Sequence, residues 1–273
     1  MRSPIRIVFE QRNETPKYLS TLVPLISVIA ALVAGGLFLL ATGYSPIDTY
    51  SNMLSDGFTS SRGITDTLGL STVLICTGIS AAFAFQMNLY NIGGEGQLYM
   101  GAVGAAGIGI ALDGQPTGVV VIAMCLAGML CGGLYAAIVG VLRAKFNTNE
   151  IITSLMLNYI AGIFLSYLIY NSTSYWRDPV SKNFPAGKPI ADRAEWNFFE
   201  FAGVKIPLAF FVAIIAAIAV WVLYKRTRFG FEVGVIADSP KAARYAGIRT
   251  STTIILVLAL SGALAGLGGA ADV

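Results

Sequence analysis

Two short stretches hold most of the side chains that could handle a polar solute. The denser is Gln86-Met87-Asn88-Leu89-Tyr90-Asn91-Ile92-Gly93-Gly94-Glu95-Gly96-Gln97. Its glycines and asparagines interrupt an otherwise apolar helical run. Two readings fit that break. At a membrane face it is a tight turn, with Glu95 near the start of the next helix, where the helix dipole favours a carboxylate. Within the membrane, the freed amides and carbonyls must line protein or water. Asn91, Glu95 and Gln97 are then candidates for a transport path. The second stretch is Glu150, Ser154 and Asn158, four residues apart and therefore on one helix face, flanked by Thr153 and Tyr159. These side chains either bond between helices or form one wall of a polar path. Ser154, Asn158 and Tyr159 are its path candidates, Asn158 being the deepest of the spaced set.

Enzyme signatures are absent. There is no G-x-x-x-x-G-K-[ST] phosphate loop, no G-x-S-x-G elbow and no H-E-x-x-H pair. The chain has no histidine, which removes imidazole as base, relay or metal ligand. Cys76, Cys125 and Cys131 all lie in apolar runs and fit neither a disulfide framework nor a zinc site. No catalytic residue, metal or bound cofactor is expected, and the chain does not hold ATP by a phosphate loop.

The elements that must position these groups are membrane helices. Of 273 residues, 55% are hydrophobic and 12% charged, against about 25% charged in soluble domains. A net charge of +3 is too small to argue for nucleic acid. A span needs about 20 apolar residues, and seven candidates appear: 18–41, 66–87, 92–112, 118–142, 151–170, 207–224 and 252–273. The first is too long for a signal-peptide core of roughly 7–15 residues and reads as a retained span. The expected fold is an all-α polytopic membrane protein, with an N-terminal arm at 1–17 and a transmembrane domain at 18–273.

Basic residues alternate between successive connections. Arg2, Arg6, Arg12 and Lys17 precede the first span, Arg143 and Lys145 lie near 143–150, and Lys225, Arg226, Arg228, Lys241, Arg244 and Arg249 lie in 225–251. The opposite connections carry few. By the positive-inside rule the N-terminus and 225–251 are cytoplasmic. Segment 171–206, with Pro179, Pro185, Pro189, Trp176, Phe184 and Trp196, falls outside. It reads as an interfacial aromatic belt or as a contact surface for an external partner. Gly128, Gly132, Ala136 and Gly140 share one helix face, as do Gly262, Gly266 and Ala270. Close backbone approach at such faces holds helices together in lipid.

The most basic connection contains a helix of its own. Ser239 suits an N-cap, Pro240 the first helical position and Gly247 a left-handed C-terminus. Lys241, Ala242, Ala243, Arg244, Tyr245 and Ala246 lie between. Local sequence fits an inert surface helix as well as a docking element. The chain stops at Ala270-Ala271-Asp272-Val273, inside an apolar run, and is expected to be C-terminally incomplete.

Three stretches in order carry a resemblance. Asn91–Gln97 resembles an N-I-G-x-E-G-Q signature, Asn149–Ile160 resembles N-E-[IV]-I-x-[ST]-L-M-L-N-Y-I, and Gly230-Phe231 through Ile248 resembles a stretch ending in P-x-A-A-R-Y-A-G-I. The chain is thereby similar to permease subunits of bacterial ABC importers of the nucleoside and simple-sugar type. That resemblance implies a nucleoside importer, with a simple-sugar permease or a stand-alone carrier as alternatives. It implies a second permease subunit, cytoplasmic ATPase subunits that use ATP and Mg, and an external substrate-binding lipoprotein. It also implies residence in the bacterial inner membrane and a coupling role for Ser239 through Gly247. Members of the family continue with further spans beyond the point where this chain ends.

Overall fold

A computed structural model describes residues 17–171, 173–181, 184–190, 198–201 and 204–273. Arg2, Arg6, Arg12 and Trp196 lie outside the described residues. The chain divides into two compact units, Met1–Ser60 and Ser61–Val273.

In the first unit, α1 (Lys17–Ala41) is followed by α2 (Pro46–Phe58). Ser45 caps α2 through the Asp48 amide and Pro46 occupies its first turn. Tyr50 Oη donates to Leu32 O at 2.8 Å, tying the two helices together. Residues 42–65, which join the first two candidate spans, are therefore not a plain connecting loop. Their polar positions and Gly57 hide α2 from a search for apolar spans, yet the cap and the proline start a helix locally.

The second unit contains α3 (Ser61–Phe85), α4 (Gly94–Ala111), α5 (Thr117–Phe146), α6 (Glu150–Tyr170), α7 (Leu208–Arg226), α8 (Arg228–Asp238), α9 (Pro240–Tyr245) and α10 (Thr250–Ala271). A short antiparallel hairpin, β1 (Phe198–Phe201) with β2 (Val204–Pro207), precedes α7. Among the described residues, six helices are long and apolar enough to cross a membrane: residues 22–41 of α1, and α3, α5, α6, α7 and α10. The expected span at 92–112 does form a helix, α4, but Glu95, Gln97 and its many glycines dilute its apolar content. It is sheltered instead, with Gly96, Gln97, Gly101, Val103, Ala105 and Gly109 buried. The connection 225–251 is likewise more ordered than expected. It contains α8, an amphipathic helix that buries Val233 and Ile236, as well as the expected α9.

Helix α10 is the central post, with 56% of its apolar window buried. It packs on α4 and α5 through glycines. A methyl group at Gly132 would lie 2.5 Å from Gly262 O and 2.8 Å from Gly266 Cα. One at Gly128 would lie 2.7 Å from Gly266 O, and one at Gly140 would lie 2.9 Å from Ile255 Cα. At Gly128, Gly132, Gly140, Gly262 and Gly266 the backbones approach closely because no side chain projects between them.

Candidate functional site

The helical run breaks after Phe85 and resumes at Gly94, with Asn88 in the left-handed region at φ 55°. Asparagine tolerates that conformation better than most residues. Asn88 Nδ2 donates to Ala237 O at the end of α8, which anchors the turn at 3.1 Å. The chain then dives inward. Asn91 and Gln97 are 4% and 1% exposed. Their amides pair reciprocally at 3.0 and 2.9 Å. Asn91 Nδ2 also donates to Ser261 Oγ at 2.9 Å, Asn91 Oδ1 accepts from the Gly93 amide at 3.1 Å, and the Ser261 hydroxyl donates to Ser80 O at 2.8 Å.

Ser261 lies eleven residues into α10, about 16 Å along its axis at 1.5 Å per residue. The network therefore sits halfway along the central helix, where exposed amides would be costly. Asn91 and Gln97 therefore lie inside the helical bundle, level with the middle of α10.

The second polar set meets the first. Ser154 Oγ accepts from the Ile92 amide at 3.2 Å. Asn158 Oδ1 accepts from the Gly96 amide at 2.8 Å, and its Nδ2 donates to Ile92 O at 2.9 Å. These are backbone groups that the break leaves without helical partners, so α6 completes the hydrogen bonding that the α3–α4 connection lacks. Glu150 is turned the other way along the chain. Its carboxylate is 3.2 Å from Arg143 Nε, and the Arg143 guanidinium also donates to Thr148 O. Asn147, left-handed at φ 52°, ends α5, and Asn149 caps α6.

The candidate path residues thus separate by surroundings. Asn91, Gln97 and Ser154 are buried and partnered. Asn158 is half-buried, while Glu95 and Tyr159 are exposed. Tyr99 was not singled out from sequence, yet its hydroxyl donates to Glu95 Oε1 at 2.8 Å. The four-residue spacing of Glu95 and Tyr99 was the available signal. Ser80, one of several hydroxyls along α3, and Ser261, which stands alone in the apolar part of α10, gave none.

On the α8 side of the break, within the same core cluster, α9 forms. Ser239 Oγ accepts from the Ala242 amide, Pro240 takes the first position and Gly247 has φ 77°. Ala243 is fully buried against Val233, Ile236, Leu89 and Val257. Lys241, Ala242, Arg244, Ala246 and Gly247 are exposed, and Tyr245 is 94% exposed. The same buried cluster includes Phe83 and Met87 beside the break. Tyr224 Oη donates to Phe83 O at 2.7 Å, which adds α7 to it. In the 171–206 segment, Trp176 Nε1 donates to Val103 O at 3.0 Å and Lys188 N to Trp176 O at 2.7 Å. This part folds against α4, while Phe184 and Val180 are open.

Residues 63–272 match the family described as branched-chain amino acid transport system / permease component. The glucose ABC transporter permease protein TsgB13 of Haloferax volcanii is 34% identical, covering 98% of this chain and 72% of its own length. The guanosine ABC transporter permease protein NupP of Bacillus subtilis is 33% identical, covering 92% of this chain and 71% of its own length. For the nucleoside ABC transporter permease protein NupB of Lactococcus lactis the figures are 32%, 94% and 71%. No solved structure matches. Since the match runs through the polar break, the α6 face and α9 alike, the chain belongs to the family of branched-chain amino acid transport system permease components.

Proposed function

We propose that this chain is a membrane permease subunit of an ATP-driven importer of nucleosides. The observation that carries the reading is α9. It is a capped helix of six residues, seated on one buried alanine, with nearly all its other side chains turned outward. Such an element is firm enough to transmit force and open enough to be gripped. Nucleosides are favoured because two of the three relatives at 32–34% identity are named for them, the third being named for glucose. Galactose permeases match at 26–28% over little more than half the chain.

In this reading α9 faces the cytoplasm, in a bacterial inner membrane, and seats in a cytoplasmic ATPase subunit that holds the nucleotide and Mg. A second permease subunit completes the path, and an external binding protein delivers substrate to the side of 171–206. ATPase closure displaces α9. Ala243, Ile236 and Leu89 are in one packed cluster, so displacement of α9 is felt at the α3–α4 break, beside Glu95 and Asn158. Asn91, Gln97 and Ser154 frame the path, and Glu95, Asn158 and Tyr159 border it.

Copurification in mild detergent, followed by substrate-stimulated ATP hydrolysis, tests the assembly. Absence of any ATPase subunit would remove the reading. Arg244→Glu tests the coupling role: uptake falls by about tenfold or more, as expected when buried interface charges clash, while insertion and the permease pair are retained. Wild-type uptake with the complex intact would exclude that role. Competition by unlabelled nucleosides against unlabelled glucose separates the two substrate classes.

A further inference from the structure

The buried network leaves one polar pair unused, Glu95 and Tyr99. Among the described residues no cation pairs with Glu95. Its flank follows from helix geometry. Helices α4 and α6 run parallel, since Ser154 meets Ile92 and Asn158 meets Gly96. At 3.6 residues per turn each step rotates by about 100°. Between parallel neighbours, the residue before the contact on one helix and the residue after it on the other turn to the same side. Glu95 precedes Gly96, and Tyr159 follows Asn158. Tyr99, three beyond Gly96, and Leu155, three before Asn158, lean to that side too. Glu95, Leu155 and Tyr159 are exposed there, and Tyr99 is half-buried.

This flank lies about 12 Å along α6 from its first residue, eight steps at 1.5 Å each. A carboxylate open to hydrocarbon at that depth is costly. The flank therefore borders water or a polar solute. Its chemistry is one-sided. An ionised carboxylate only accepts hydrogen bonds, at about four lone-pair positions, and Tyr99 uses one. The matching solute presents adjacent donors. Beside them stands an aromatic face, which can stack on any base.

We propose that Glu95 and Tyr99 read the ribose of the transported nucleoside. The Glu95 carboxylate accepts from the neighbouring 2′- and 3′-hydroxyls, Tyr99 holds that carboxylate in place, and Tyr159 lies along the base. Glu95 and Tyr159 are specificity residues, and Tyr99 is a positioning residue. The proposal rests on the nucleoside reading above.

The test uses cells carrying the complete importer, with this chain as wild type, Glu95→Gln or Tyr99→Phe. Uptake of uridine is compared with uptake of 2′,3′-dideoxyuridine. The external binding protein is common to all three, so its own preference cancels when each variant is divided by wild type. Glu95→Gln lowers uridine uptake about tenfold and dideoxyuridine uptake by less than about twofold, since only the diol uses the charged acceptor. Tyr99→Phe moves the ratio the same way by about threefold. Equal losses for both solutes with the complex assembled, or no loss for either, would overturn the proposal. Wild-type cells that take up neither nucleoside would remove the nucleoside reading itself, a result that needs no variant.

Discussion

Around the α3–α4 break, polar side chains are buried and saturate one another; on α9, polar side chains stand outward with little but solvent around them. Asn91 alone takes part in four hydrogen bonds, whereas Tyr245 is 94% exposed. Both stretches are short, polar and set between apolar helices, so composition does not separate them. Their surroundings do. A buried amide inside a bundle is stable only with partners, and partners on three helices fix where those helices lie. A surface helix with a cap and one buried anchor fixes only itself. The break is therefore scaffold with one open edge, at Glu95 and Tyr99, and α9 is a handle.

The contrast predicts unequal tolerance to bulk. Gly132→Leu must push α5 away from α10, because even a methyl group there meets backbone at 2.5 Å. Overpacking commonly costs about 1–3 kcal/mol, and more where backbone must move. We expect little monodisperse protein by size exclusion in detergent. Tyr245→Leu, on the exposed ring, leaves the yield unchanged. Equal yields would mean that the glycine contacts do not govern assembly.

Asn91→Ala has a smaller effect. Interhelical hydrogen bonds in membranes average about 0.6 kcal/mol. With four bonds lost, the expected destabilisation is about 2 kcal/mol by thermal or denaturant unfolding in detergent. Because Gln97 is then orphaned, adding Gln97→Ala costs less than the sum of the two single variants. Strict additivity would show that the two amides do not act as a unit.

Much of this arrangement was legible in the chain. Ser239, Pro240 and Gly247 announce α9 because caps act locally. The glycine faces of α5 and α10 are visible because helical period is regular. What escaped is what long-range packing decides. Asn91 and Ser154 are far apart in sequence, and nothing local says that one stretch completes the other's backbone hydrogen bonds. Helices α2 and α8 are too polar for a span search and too short for a strong period. The depth of the break became readable only through Ser261, a single hydroxyl on α10.

The mildest change addresses the handle alone. Ser239→Ala removes the side-chain acceptor that serves the Ala242 amide at 3.3 Å, while Pro240 and the buried Ala243 remain. Loss of an N-cap costs typically about 1 kcal/mol, and here it falls on a six-residue helix with one anchor. Global unfolding in detergent should move little, because the glycine-packed helices of the bundle do not depend on this turn. Hydrogen exchange at the amides of residues 241–246 should instead accelerate by about fivefold, the equivalent of that energy. Transport should fall modestly while substrate-independent ATP hydrolysis persists. A large drop in global stability would show that α9 is part of the scaffold, and the distinction between the two polar regions would then fail.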